Sequence, residues 1–156
     1  MTAPSAVATR TNRLGVDFCG IHFQNPILLA AGTAAYGEEL DGVMQLDRLG
    51  GIITKAVSLE PRHGAPAPRV AEFDGGMMNA VGLANPGVVA VRAEHLPWLG
   101  QRLTRARVIV NVIGFQTDEF ARVIDLNRAA IGLDASNGVE LRVGLREEGA
   151  VQAFPQ

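Results

Sequence analysis

A lysine inside an apolar strand is the first residue that asks for an explanation. In "GGIITKAV", residues 50–57, Lys55 places a charge among Ile, Val and Ala. Burying an unpaired ammonium is costly, so Lys55 needs an anion, a carbonyl-rich ligand or solvent at the strand's end. A lysine that snorkels to water from a strand exit satisfies the same requirement. Three asparagines raise a similar question: Asn79 and Asn85 in "MMNAVGLANPG", residues 77–87, and Asn111 in "RVIVNVIG", residues 107–114. Asn79 fits a turn. Asn85 before Pro86 fits a helix N-cap followed by the first helical residue. Gly32 and Gly82 fit tight turns, or places where backbone must approach a flat ligand. His63 and Arg69 read as solvated loop residues. His22, His63 and His95 have no metal-ligand spacing, so no metal site is expected. Cys19 is the one cysteine in the chain, so it has no internal disulfide partner. It reads as packing rather than as a nucleophile, and a reducing compartment fits best.

The elements that must position these residues alternate. "LGVDFCGIHFQNPI", 14–27, reads as a short hairpin around Gly20. "PILLAAG", 26–32, is an apolar run that suits a strand buried on both faces. Residues 38–49 put Leu40, Val43 and Met44 on one helical face, with Glu38 and Glu39 in the first turn. Residues 50–57 form a second strand ending near Lys55. Residues 59–76, broken by Pro and Gly, read as one long loop. A helix from about 86 should fade near Pro97. Residues 107–114 form a third strand. Thr117 caps the next helix, Asp118 and Glu119 complement its dipole, and Phe120, Val123 and Ile124 face the core. "GVELRV", 138–143, is a fourth strand. The order β-α-β-loop-α-β-α-β predicts an α/β fold with a parallel sheet and helical crossovers. Ligands of such sheets bind at the carboxyl ends of the strands, where Ala30–Thr33, Lys55, 79–85, Asn111 and Gly114 fall.

Composition narrows the function classes. The chain has 156 residues, is 47% hydrophobic and 19% charged, and carries a formal net charge of -2. That suits one globular core and gives no electrostatic footprint for nucleic acid. No apolar run approaches the ~20 residues that span a bilayer. Residues 1–13 are small and polar and read as a disordered leader without a signal-peptide core. A cytoplasmic location is the expectation.

Taken in order, three segments are specific. "NPILLAAGTAAYGEE", "IITKAVSLEPRHGAPAPRV" and "GGMMNAVGLANPG" resemble dihydroorotate dehydrogenase, the FMN enzyme of pyrimidine synthesis. The Leu-Glu-Pro-Arg loop leading to Pro68-Arg69-Val70 is the most distinctive part. The chain is similar to the class 1 enzymes, and most of all to the class 1B catalytic subunit, over about residues 14–125.

The resemblance implies the N-terminal half of a (β/α)8 TIM barrel with an N-terminal β-hairpin, over residues 14–143. It implies FMN at the carboxyl face. Ala31 and Gly32 would pass along the flavin, Lys55 would touch flavin and orotate, and Ala56 and Asn111 would contact flavin. A fixed cation there stabilises charge that builds on a reduced flavin. Asn79, Ala80, Val81, Gly82 and Leu83 match the substrate loop. An amide gives orotate a donor and an acceptor together. The N–H groups near Gly82 and Leu83 would hold the carboxylate. The implied reaction is FMN-dependent oxidation of dihydroorotate to orotate. NAD, FAD and iron–sulfur chemistry would enter only through a partner electron-transfer subunit, and the full-length family implies a homo-oligomer.

The sequence departs from the family after strand four. The family continues there with Ser-Cys-Pro-Asn, whose Cys is the base; here Arg142-Val143-Gly144-Leu145 follows, and no cysteine occurs after Cys19. The catalytic base is therefore absent, residues 144–156 read as an irregular divergent tail, and the expectation is a truncated or frame-disrupted chain inactive alone. Two alternatives stand beside it. One is a non-catalytic half-barrel that self-associates through open edges. The other is an FMN domain like that of dihydropyrimidine dehydrogenase.

Overall fold

The computed structural model describes residues 13–131, 139–143 and 152–155, with side chains as far as residue 127. Most of the expected leader and most of the tail after 143 lie outside the described residues.

The chain enters through an antiparallel hairpin, β1 (Val16–Phe18) and β2 (Ile21–Phe23). Its turn is Cys19–Gly20, with φ of 51° and 80°. Two left-handed residues in succession match the right-handed twist of the paired strands. Cys19 is exposed in that turn, so the expected packing role does not hold.

Four strands then form a parallel sheet in the order β3 (Leu28–Leu29), β4 (Gly51–Ile53), β7 (Arg107–Val112), β8 (Val139–Val143). The expected strand at 26–32 is only two residues long. It is an edge strand with Leu28 at 41% exposure, not a strand buried on both faces. After it the chain turns at once into α1 (Ala31–Ala34), closed by Ala30 accepting the N–H groups of Thr33 and Ala34.

The helix expected over 38–49 does not form. Two 3-10 turns, Glu38–Leu40 and Leu46–Arg48, replace it, and Val43 is 80% exposed. Gly42 weakens a helix interior. The segment is also fixed from outside: Gln24 donates its side-chain N–H groups to the carbonyls of Asp47 and Leu49. Tertiary hydrogen bonds outweigh a modest local preference.

The long loop expected at 59–76 contains structure. Arg62 and Asn85 form an antiparallel bridge, and a hairpin, β5 (Val70–Phe73) and β6 (Gly76–Asn79), follows. Within the expected irregular tail, β9 (Gln152–Pro155) pairs with β6.

The helical segment after Asn85 begins at Gly87, not Pro86, and runs through Pro97 rather than fading there. It comprises α2 (Gly87–Ala90), a π-helical turn at Val91–His95 and α3 (Leu96–Arg102). Proline lacks an N–H and crowds the preceding turn, and a wider π turn relieves both problems without ending the helix. The last helix is α4 (Thr117–Ile131). Thr117 is its first helical residue rather than its cap. Glu119 supplies the cap instead, with its carboxylate accepting the N–H groups of Phe115 and Gln116. That is half of a capping box, read from the acidic side.

The core lies between this helical layer and one face of the sheet. Val108, Val110 and Val112 of β7 meet Val88, Val91, Leu96, Leu99 and Val123. Strand side chains alternate between faces. Arg107, Ile109 and Asn111 therefore occupy the other face, where they are half-buried. The hairpin β1–β2 packs at the amino end of the sheet: Arg107, the first residue of β7, donates its Nε–H to the carbonyl of His22 at 2.8 Å.

Candidate functional site

Lys55 stands at a register change. Ile53 faces Ile109, yet the next parallel bridge joins Val57 to Val112. The chain takes four steps between these points on the β4 side and three on the β7 side, so one extra residue is accommodated. This is a β-bulge, a device that kinks a strand and re-aims its side chains. The Thr54 side chain repairs the ladder. It is fully buried, and its hydroxyl accepts the N–H of Asn111 at 3.2 Å, while its own N–H donates to Ile109.

The backbone from Lys55 to Val57 is held by hydrogen bonds on both sides of Ala56. Its N–H donates to the carbonyl of Ala35 at 2.7 Å. Its carbonyl accepts the hydroxyl of Thr54 at 3.0 Å. The carbonyl of Ala56 accepts the hydroxyl of Tyr36 at 3.3 Å, and the N–H of Val57 donates to the carbonyl of Asn111 at 2.8 Å. The Lys55 side chain is half-buried, and among the described residues its ammonium has no hydrogen-bond or ion-pair partner. A hydrogen-bonded backbone thus presents a cation that no described residue neutralises. The side chains of Asn79 and Asn111 are also half-buried and likewise make no hydrogen bond among the described residues.

The segment 79–85 is ordered from below by the loop that precedes it. Ala80 donates its N–H to the carbonyl of Arg69, and Ala65 donates to the carbonyl of Val81. Arg69, expected as a solvated loop residue, instead donates from Nε to the carbonyl of Ala65 at 2.6 Å and from Nη2 to that of His63 at 3.1 Å. His63 itself is exposed, as expected. Arg62 lies over the Phe115 ring, 4.2 Å from its centroid, and so joins this loop to the one after β7.

Gly82 and Leu83 both have positive φ, 74° and 56°. A Cβ at Gly82 would lie 2.6 Å from the backbone nitrogen of Ala65. The close approach that requires glycine here is therefore made by the protein's own loop. At Gly32 the opposite holds: a Cβ there would meet nothing within 4 Å, so the space beside α1 is open.

Asn85 is not an exposed amide. It is buried, and its side chain is the hub of the segment. Its Oδ1 accepts the N–H groups of Ser58 at 3.2 Å and Gly87 at 2.9 Å. Its Nδ2 donates to the Ser58 hydroxyl and to the carbonyl of Leu83, both at 2.9 Å. The expected capping role survives only in the Gly87 bond; the rest ties the chain after β4 to the chain before α2.

The sequence reading missed three contributors. Tyr36 is buried, its ring stacked on His95 with centroids 4.1 Å apart. Burial pushes its hydroxyl far above the ordinary phenol range, so it stays protonated and remains a donor. His95 in turn meets Glu38 at 2.8 Å. Thr54 repairs the bulge. Asp47 works at the amino end, accepting the N–H groups of Thr104, Arg105 and Ala106 and the Thr104 hydroxyl.

The residues brought together suit one edge of a flat, polar, anionic ligand. Asn111 lies on the half-buried face of β7 near its carboxyl end, Lys55 is half-buried at the bulge beside it, and Gly32 leaves space beside the neighbouring strand exit. Cys19 is on the hairpin at the amino end, removed from this constellation. Among the described residues no group of His, Cys, Asp or Glu could hold a metal ion.

Comparison with known proteins supplies a further observation. The family model for dihydroorotate dehydrogenase matches residues 13–134. The chain is 49% identical over 113 residues to the catalytic subunit of dihydroorotate dehydrogenase B (NAD(+)) of Streptococcus pneumoniae serotype 4, covering 72% of this chain and 36% of that protein. It is 43% identical over 129 residues to the corresponding subunit of Cutibacterium acnes, covering 80% and 42%. It is 38% identical over 133 residues to dihydroorotate dehydrogenase A (fumarate) of Limosilactobacillus reuteri, covering 85% and 42%. The chain therefore spans between 36% and 42% of the length of these relatives.

Proposed function

We propose, for a chain that belongs to the dihydroorotate dehydrogenase family, that it contributes part of an FMN and dihydroorotate site to the oxidation of dihydroorotate. The observation that carries this reading is Lys55: a cation fixed by a bulge at the carboxyl end of a parallel sheet, with no protein anion to pair it among the described residues. The four parallel strands are read as consecutive units of a (β/α)8 barrel.

Each residue has a distinct part. Ala31, Gly32, Ala56 and Asn111 would line the flavin, which when bound supplies the hydride acceptor. Lys55 offsets negative charge on the reacting groups. In a site shielded from water such a fixed charge acts more strongly than it would in bulk solvent. Asn79 offers a donor and an acceptor to the carbonyl and N–H edge of the pyrimidine ring. The N–H groups of Gly82 and Leu83 face the role of carboxylate donors, with Ala80 and Val81 completing the loop. Cys19 takes no part in proton transfer. Electron transfer onward to NAD through an iron–sulfur flavoprotein partner belongs to the same proposal. It rests on the class 1B resemblance and on the printed name of the Streptococcus relative. No helix among the described residues is long and apolar enough to cross a membrane.

The test is a titration of the chain with FMN, followed by flavin absorbance and fluorescence, then competition by orotate against uracil. Saturable binding that is displaced or perturbed by orotate, and weakened by Lys55→Met, supports the reading. No binding by the wild-type chain overturns it.

A second reading concerns self-association. The sheet face opposite the helices carries Leu28 at 41% exposure. Parallel sheets are normally covered on both faces. A second copy covering this face would make a non-catalytic dimer, colourless in the presence of FMN.

A further inference from the structure

We propose that Tyr36 is a positioning residue for Lys55, holding the strand exit that carries the lysine through the carbonyl of Ala56. The inference rests on the reading of Lys55 as a flavin and substrate contact.

Five bonds fix the backbone from Thr54 to the N–H of Val57. Four of them come from backbone or from the adjacent Thr54, and one comes from a distant side chain, the Tyr36 hydroxyl on Ala56 at 3.3 Å. Ala35, beside Tyr36, accepts the N–H of Lys55. Two consecutive residues of one strand exit therefore grip two consecutive residues of the next. A bulge leaves its extra residue without ladder partners, so its orientation depends on such added contacts. If the Ala56 carbonyl were released, the peptides on either side could rotate, and the Lys55 side chain would swing with them.

The tyrosine is itself held in place. Its ring lies parallel to His95, at an interplanar angle of 10°. His95 belongs to the π turn, and Glu38, two residues after Tyr36, meets His95 Nδ1 at 2.8 Å. Glu38 and Tyr36 thus bracket one imidazole, and the Ala35–Glu38 segment cannot shift without breaking that contact. Glu38, His95 and Tyr36 form a line of support from the surface to the lysine-bearing exit. None of the three is placed against the ligand.

Tyr36→Phe removes one hydroxyl and keeps the stacked ring. In the 156-residue chain, the expected result is a shift of the Lys55 and Val57 amide resonances and of the Lys55 side-chain Cε resonance. The Lys55 amide should exchange roughly threefold to tenfold faster, the range one hydrogen bond supplies, while the Val123 amide in α4 keeps its protection. Glu38→Gln should move the same resonances by a smaller amount. In FMN titrations, Tyr36→Phe should weaken binding by a similar factor in the wild-type background and by clearly less in a Lys55→Met background, where only the contact of Ala56 with the flavin is left to lose. A purely structural residue would weaken both backgrounds alike. Unmoved Lys55 resonances in Tyr36→Phe, or equal losses in both backgrounds, would overturn the proposal. If the wild-type chain binds no FMN, the functional reading fails, and the resonance and exchange data alone decide whether Tyr36 positions Lys55.

Discussion

Lys55 gives its backbone N–H to the carbonyl of Ala35 at 2.7 Å, while its ammonium meets no acceptor among the described residues. Two consequences follow, one for stability and one for binding. Deleting the charge removes no hydrogen bond or ion pair among the described residues and relieves partial desolvation of a cation. Lys55→Met, which keeps the apolar stem, should therefore change stability by no more than about 0.5 kcal/mol. The same substitution should weaken FMN or orotate binding at least tenfold. Urea unfolding read beside a flavin titration separates the two effects.

Asn85 presents the opposite balance. Its amide joins Ser58, Leu83 and Gly87 inside the fold. Asn85→Ala orphans buried donors and acceptors at all three and should cost about 2–4 kcal/mol. Asn85→Asp should not rescue it, because a carboxylate cannot donate to the Leu83 carbonyl. Chemical denaturation of both variants is the measurement; a wild-type midpoint for Asn85→Asp would refute the hub role of Nδ2.

Two glycines should respond differently to one added methyl. At Gly82 the φ of 74° and the 2.6 Å approach to Ala65 both oppose a side chain. Gly82→Ala should cost roughly 2 kcal/mol or more. At Gly32 a Cβ meets nothing within 4 Å. Gly32→Ala should leave stability within about 0.5 kcal/mol of wild type, yet lower FMN affinity if flavin lies in that space. Paired thermal melts and flavin titrations distinguish these outcomes.

Asp47 sets part of the acid response. Partial burial alone would raise its carboxyl, but the N–H groups of Ala106, Arg105 and Thr104 and the Thr104 hydroxyl outweigh burial and hold it below its ordinary range. A depressed carboxylate contributes its stability above the unfolded value, near ~3.9, and loses it as pH falls through the folded value. Asp47→Asn should therefore be less stable than wild type near neutral pH, by about 1 kcal/mol. The gap between the two urea midpoints should close as pH falls below ~4. A gap that persists undiminished in acid would contradict the assignment.

Sequence alone located the parallel strands through their apolar runs, because burial on a sheet leaves a local pattern. It placed Lys55 and Asn111 near the carboxyl ends for the same reason. It also placed Asp118, Glu119 and the face of Phe120, Val123 and Ile124 on α4, since helix periodicity is local. It failed over 38–49, where an amphipathic count outvoted Gly42 and could not see Gln24 reaching across to Asp47 and Leu49. It read 59–76 as one long loop, because Arg69 recovering two backbone carbonyls of its own loop leaves no periodic trace.

What only the tertiary structure decided is the orientation of the site. The extra residue between Ile53 and Val57 is visible only once β7 lies beside it. Tyr36 matters to Ala56 across 20 positions of chain, and Asn85 to Ser58 across 27. A sequence pattern records which residues prefer burial or a given backbone angle, one window at a time. A hydrogen bond between distant residues depends on how the strands are brought together in register, and that register is a property of the assembled sheet.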